Sequence, residues 1–342
     1  MSLVKQKDAF ALIVALAVMV VLFFLSFMLG QYPIEPMQVM HVIGSKLFGF
    51  ECSEPEMVQS IVWKVRLPRI CAALMIGAAL SVAGAVYQGL FKNPMVSPDI
   101  LGASSGAGFG AALAILFSFP YFMIQFNAFA FGLLAVALAY YVCKKVSRGK
   151  DALLMLILGG MIVSTLFSSF ITLTKYVADP DSKLPEITYW LMGSLSTVNI
   201  KDIGFLSVPL ALGFVPLIFL RWQLNAMAFG DEEAQSMGIN VKALRGLFIL
   251  VATLLTAASV AVAGMIGWIG LIIPHMSRFI VGPNAKVLLP MSALVGASFL
   301  LIVDNVARML FTVEIPLGIL TSIIGAPFFF YLLLKRKKEE IE

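Results

Sequence analysis

Apolar runs long enough to cross a bilayer recur from one end of this chain to the other. A chain of that kind has few choices, because lipid offers no hydrogen-bond partners. Its backbone must satisfy itself, as helices or as a closed barrel, and runs of this length are helical. Of the 342 residues, 60% are hydrophobic and 13% charged, which excludes a water-soluble globular domain of this size. No polar stretch is long enough to fold separately, so residues 1–342 read as one all-α, polytopic membrane domain. The first run, Ala9–Leu29, is longer than a signal-peptide core and no small-x-small cleavage site follows, so it reads as a retained span. The net charge of +5 sits at span ends and in the tail, where it sets orientation and does not imply nucleic acid. Cys52, Cys71 and Cys143 show no metal-ligand or redox spacing.

Run length, with breaks at Gly, Pro and charge, places about ten membrane segments. They are Ala9–Leu29, Ile70–Leu90, Ile100–Phe117, Tyr121–Cys143, Ala152–Tyr176, Phe205–Arg221, Leu244–Met265, Trp268–Phe279, Val287–Leu310 and Leu317–Leu334. A mixed stretch, Gln31–Lys64, lies outside; a polar loop, Ala178–Glu186, leads to a short helix, Ile187–Ser196. With the N-terminus in the cytoplasm, sixteen of the 24 Lys and Arg fall inside, Arg148 and Lys150 among them. That excess predicts a multi-pass protein of the cell (inner) membrane with both termini cytoplasmic.

One stretch, Arg66–Gly110, is unusually rich in small residues: Gly77, Ala78, Ala79, Ser81, Ala83, Gly84 and Ala85 let neighbouring helices approach closely. It reads as the centre of a bundle. A shift of 180 residues brings Ala83-Gly84, Pro94, Ser97 and Gly102 onto Ala263-Gly264, Pro274, Ser277 and Gly282. This predicts an inverted repeat of spans 2–5 and 7–10, with the Asn93–Pro98 turn matching a turn at Pro274–Ser277.

The polar segment 225–242 carries Gly230, Asp231, Glu232, Glu233, Ala234, Met237 and Gly238, a short helix closed by glycine. Arg66, Arg69 and Arg308 fall on the exterior, against the positive-inside trend. They read either as docking points for an acidic partner or as snorkelling side chains, with an i,i+4 pair to Asp304 for Arg308. Ser164, Thr165, Ser168, Ser169 and Thr172 in the fifth span either line a path or bond their own backbone. Ser104 and His275 admit an intramembrane serine protease, and Asp304 an ion-coupled carrier.

Taken in order, Arg66-Leu67-Pro68-Arg69, Gly77-Ala78-Ala79-Leu80, Asn93-Pro94, Leu101-Gly102, Gly230…Ala234…Gly238, Gly267-Trp268-Ile269-Gly270 through Pro274-His275, Arg278, Ala307-Arg308 and Glu314-Ile315-Pro316-Leu317-Gly318 resemble the permease subunits of FecCD-type ABC importers for iron-siderophores, haem and cobalamin. The resemblance covers nearly the whole chain. It implies a cobalamin-importer-permease-like fold of ten spans and a homodimer with the path on its two-fold axis. It implies two ABC ATPase subunits docked on 225–242 and one extracytoplasmic substrate-binding protein near Arg66, Arg69 and Arg308. It also implies a path lined by the fifth and tenth spans; in the tenth, Thr321 and Ser322 are the candidate lining residues. No catalytic residue, cofactor or metal is expected in this chain; ATP and Mg would be bound by the partner. The implied cargo is a metal chelate, with an oxyanion such as molybdate as the alternative.

Overall fold

The computed structural model describes residues 2–146 and 152–339; Arg148 and Lys150, used for orientation, lie outside them. Every regular element among the described residues is helical. The order is α1 (Ser2–Met28), α2 (Pro36–Phe48), α3 (Glu56–Ser60), a π turn (Ile61–Arg66), α4 (Leu67–Leu90), a 3₁₀ turn (Pro98–Leu101), α5 (Ala103–Leu116), α6 (Tyr121–Val146) and α7 (Ala152–Val177). Then come α8 (Lys183–Met192), α9 (Ile200–Phe229), α10 (Asp231–Ser236), α11 (Val241–Ala263), α12 (Ile269–Val281), α13 (Ala285–Met309) and α14 (Leu317–Glu339).

Among the described residues seven helical runs are long and apolar enough to span: α1, the continuous run Glu56–Leu90, α6, α7, α9, α11 and α13. The other three expected segments are shorter apolar helices, Ala103–Leu116, Ile269–Val281 and Leu317–Phe330. At about 1.5 Å per residue, α5 and α12 are shorter than the roughly 30 Å hydrocarbon core.

Position in the bundle follows side-chain size. The apolar windows of α4 and α11 are each 78% buried, against 11% for α1 and 22% for α9. Small residues make this possible. Gly77 lies against the backbone of Gly296 on α13, and Gly84 against that of Gly270 on α12; a Cβ at Gly84 would overlap the Gly270 carbonyl. Such approach gains dispersion contacts where lipid supplies no hydrophobic drive. Buried polar groups add cross-ties: Tyr87 Oη and Thr253 Oγ1 are 3.1 Å apart, and Gln88 Nε2 donates to the Leu271 carbonyl at 3.1 Å.

Three sequence expectations need correction. The sixth span does not stop at Arg221: α9 runs through Pro209 and Pro216 to Phe229. Proline is tolerated in a membrane helix because neighbouring groups re-satisfy the freed backbone. The outer stretch does not end at Lys64 either, since α3, the π turn and α4 form one run. Pro68 has no N–H for the Lys64 carbonyl, and the wider π turn sits where that bond is missing. Finally, Pro274–Ser277 is no turn. Those residues lie inside α12, whereas Asn93–Pro98 is irregular up to its 3₁₀ start. The 180-residue register therefore does not match element to element. What recurs is coarser: a long buried helix followed by a short one, α4–α5 and α11–α12.

Candidate functional site

Three regions hold the side chains singled out by the sequence, and they lie on separate parts of the bundle.

The first is the segment between α9 and α11. Asn199 and Asp202 cap the start of α9 in a capping box, and the helix ends at Gly230. α10 then turns once and a half and is closed by a reciprocal pair of backbone bonds. Gly238 N–H donates to the Gln235 carbonyl at 2.9 Å, and Ile239 N–H to the Ala234 carbonyl at 3.1 Å. Gly238 has φ +80°, the left-handed conformation this closure demands. Ala234 is fully buried under α10, while Glu232, Glu233, Gln235, Ser236 and Met237 point outward. Phe229 beside them is also exposed. The segment is thus an acidic knuckle with apolar flanks, held from below. The holding residue was missed by sequence reading: Arg245 on α11 donates from Nη2 to both Asp231 oxygens, at 2.7 and 2.6 Å. A signal was available. A cation in the first turns of a helix opposes the macrodipole, so it calls for an acid nearby.

The second region is the opposite end of α4. Arg66, Arg69 and Arg308 are only 4–6% exposed. Arg66 donates to the Phe27 and Tyr32 carbonyls and so ties the end of α1 to the π turn. Arg69 pairs with Asp304 at 2.8 Å and with Glu314 at 2.7 Å. Arg308 Nε lies 3.3 Å from Asp304 Oδ2 without an aligned hydrogen bond, and its Nη2 donates to Asn305 and to the Ser26 carbonyl. The i,i+4 pair read from sequence is therefore present, inside a larger network joining α1, α4 and α13 to the Glu314 loop. Asp304 is fully buried between two arginines, each neutralising part of its charge.

The third group of side chains lies on α7 and, separately, on α14. Thr165, Ser168, Ser169, Thr172 and Ser322 are exposed, Ser164 half-buried and Thr321 buried. Four of the exposed hydroxyls turn back on their own helices: Thr165 to the Met161 carbonyl (2.9 Å), Ser169 to Thr165 (3.0 Å), Thr172 to Ser168 (3.0 Å), Ser322 to Gly318 (2.7 Å). Ser164 Oγ instead meets Ser105 Oγ at 2.8 Å, fastening α7 to α5. Between the hydroxyls the face is apolar, with Met161, Ile162, Leu166 and Leu173 exposed.

Two other groups fall apart as sites. Ser104 donates its hydroxyl to Asp99, and the His275 ring packs edge-on against Phe279, 4.9 Å between centroids. No Ser–His pair of the kind a hydrolase needs forms between them. Asp99, the acid that holds Ser104, was another residue the sequence reading passed over. Among the described residues no three His, Cys, Asp or Glu side chains converge as a metal site.

A bundle centred on two small-residue helices, with an acidic knuckle at one end and a buried arginine network at the other, defines a polytopic membrane permease. The FecCD transport family model matches residues 18–335, so the chain belongs to that family, permease subunits of ABC importers. Over 310 residues it is 43% identical to the "Molybdate import system permease protein MolB" of Haemophilus influenzae, covering 91% of each chain. It is 41% identical over 281 residues to a "Probable iron chelatin transport system permease protein" of Helicobacter pylori, covering 81% of this chain and 83% of that one. A solved structure described as "An inward-facing conformation of a putative metal-chelate type ABC transporter" superposes with a TM-score of 0.84 at 41% identity, over 95% of this chain and 98% of the other.

Proposed function

We propose that this chain forms a homodimer of ten-span subunits, both termini in the cytoplasm, through which an ATP-driven importer moves a metal chelate into the cell. Two ATPase subunits dock on the 225–242 segment, and an extracytoplasmic binding protein delivers the cargo at the end carrying Arg66, Arg69 and Arg308. The half α4–α7 is related to the half α11–α14 as an inverted repeat, supported by the recurring long-then-short helix order. The observation that carries the coupling role is α10: exposed outside, pinned beneath by Arg245 and Ala234, and joined without slack to the deeply buried α11. A push on such a knuckle reaches the bundle centre as rigid-body motion. At the other end the three arginines are engaged internally. Their contribution to docking is to fix the loops that the binding protein meets, with the half-exposed Glu314–Arg69 pair at the rim.

The chelate reading is supported by the α7 face. Thr165, Ser169 and Thr172 are already satisfied within the helix and the intervening side chains are apolar, so the face offers little grip on a cargo. A large chelate needs a wide path of that kind, with affinity left to the binding protein. A second reading, import of an oxyanion, is favoured by the 43% identity to the molybdate permease. Reconstitution in vesicles with the cognate ATPase and binding protein separates them, using ferric siderophore, haem, cobalamin and molybdate as labelled cargoes. ATP-dependent accumulation of a chelate is expected. Accumulation of molybdate alone would establish the second reading, and uptake driven by an ion gradient without ATP would overturn both.

A further inference from the structure

At the α10 end of the bundle, a cavity of about 280 Å3 opens between the ends of α4, α9 and α12 and the start of α13. Its walls are apolar, with Leu224, Leu288 and Leu289 among them. Its charged lining residues are both cations: Lys92, which is exposed, and Arg278. Arg278 directs Nη1 to Gln88 Oε1 at 2.6 Å, which holds the guanidinium in place. The first residue of α13, Ala285, also lines the cavity, its N–H donating to Asn225 Oδ1 at 2.7 Å. Two cations and no acid therefore line a partly apolar hole.

The surrounding side chains set its depth. On α9, Ile218, Phe219 and Trp222 are exposed, and Arg221 between them reaches the Lys286 carbonyl at 3.5 Å. An exposed Trp beside Arg and Lys, directly after an apolar run, is the pattern of the membrane–water boundary. We infer that this cavity binds the phosphodiester headgroup of an anionic phospholipid, with Lys92 and Arg278 on the phosphate and Leu224, Leu288 and Leu289 against the glycerol and upper acyl chain. Basic pockets between helices at this level suit such headgroups. A free inorganic anion would leave the apolar walls unused. Because the cavity joins the last turns of α9, just before α10, to α4, α12 and α13, a bound lipid cross-links the root of the α10 segment to the bundle. The inference needs only that the chain spans a bilayer, so it stands apart from the choice of cargo.

Native mass spectrometry of the permease assembled with its ATPase, in detergent with equal amounts of phosphatidylglycerol and phosphatidylcholine, tests it. Phosphatidylglycerol should be retained about tenfold over phosphatidylcholine, and that preference should fall to near parity in Lys92→Met/Arg278→Met. Lys92→Met, at an exposed position that leaves the fold intact, should lower it several-fold by itself, and Lys46→Met at the other end should leave it unchanged. Equal retention of both lipids by the unaltered complex would overturn the inference, as would a preference that survives in the double variant. A preference abolished by inorganic phosphate alone would assign the cavity to a free anion and overturn it too.

Discussion

Gly84 has no room for any side chain, because the carbonyl of Gly270 occupies the place of its Cβ. Gly84→Val should therefore force α4 from α12 and lower stability by about 1–3 kcal/mol or more, read as a fall in thermal midpoint in detergent. An unchanged midpoint would show that the two helices are not in backbone contact. Gly238 is the opposite case: φ is +80° but nothing lies within 4 Å of its Cβ position. Gly238→Arg costs only the left-handed strain, about 1–2 kcal/mol, and should fold while transport per ATP hydrolysed collapses. Wild-type uptake by that variant would remove α10 from the coupling role. Asp304 is a third kind of residue. Asp304→Ala leaves buried Arg308 without a counter-charge and Arg69 with Glu314 alone, and should cost about 3–5 kcal/mol, seen as loss of folded protein. Arg69→Met/Asp304→Leu should recover part of it, since two charges leave together.

At the scale of elements, the link between α10 and α11 rests on one bidentate pair. Asp231→Arg and Arg245→Asp should each uncouple ATP hydrolysis from uptake, and the double exchange should restore most of the coupling. No rescue would mean that α10 transmits through its backbone alone. The elements also show what the sequence made legible. The small-residue run of α4 was readable as a bundle centre because Gly and Ala have little use on a lipid-facing surface. The glycine-closed helix at 231–236 was readable because Gly238 and the acidic first turn are local signals. The continuation of α9 beyond Arg221 was not: the Arg221-Trp222-Gln223 trio looks like the polar end of a span. Only neighbouring helices decide that it is not. The π turn before α4 was invisible for the same reason, and so was the partner of Arg66, a pair of carbonyls more than thirty residues away.

For the whole molecule, α4 and α11 form a rigid interior while α1 and α9 present most of their surface outward. Cysteines at Ser168 and Thr172, on the proposed path, should react with a hydrophilic maleimide in the assembled importer, and their rate should change when ATP is bound. A cysteine at Val21, on the outward side of α1, should stay unreactive in the bilayer. Equal reactivity at all three positions would place α7 in lipid and reject it as the lining.

Thr165, Ser169 and Thr172 on α7 donate to carbonyls on their own helix, so these hydroxyls make no demand on what passes beside them. Those three groups lose no acceptor when water is removed. On the proposed path, a cleft bounded by such groups can close nearly dry after each delivery, and an emptied passage of that kind would hold no continuous file of water along which protons could run down the membrane potential.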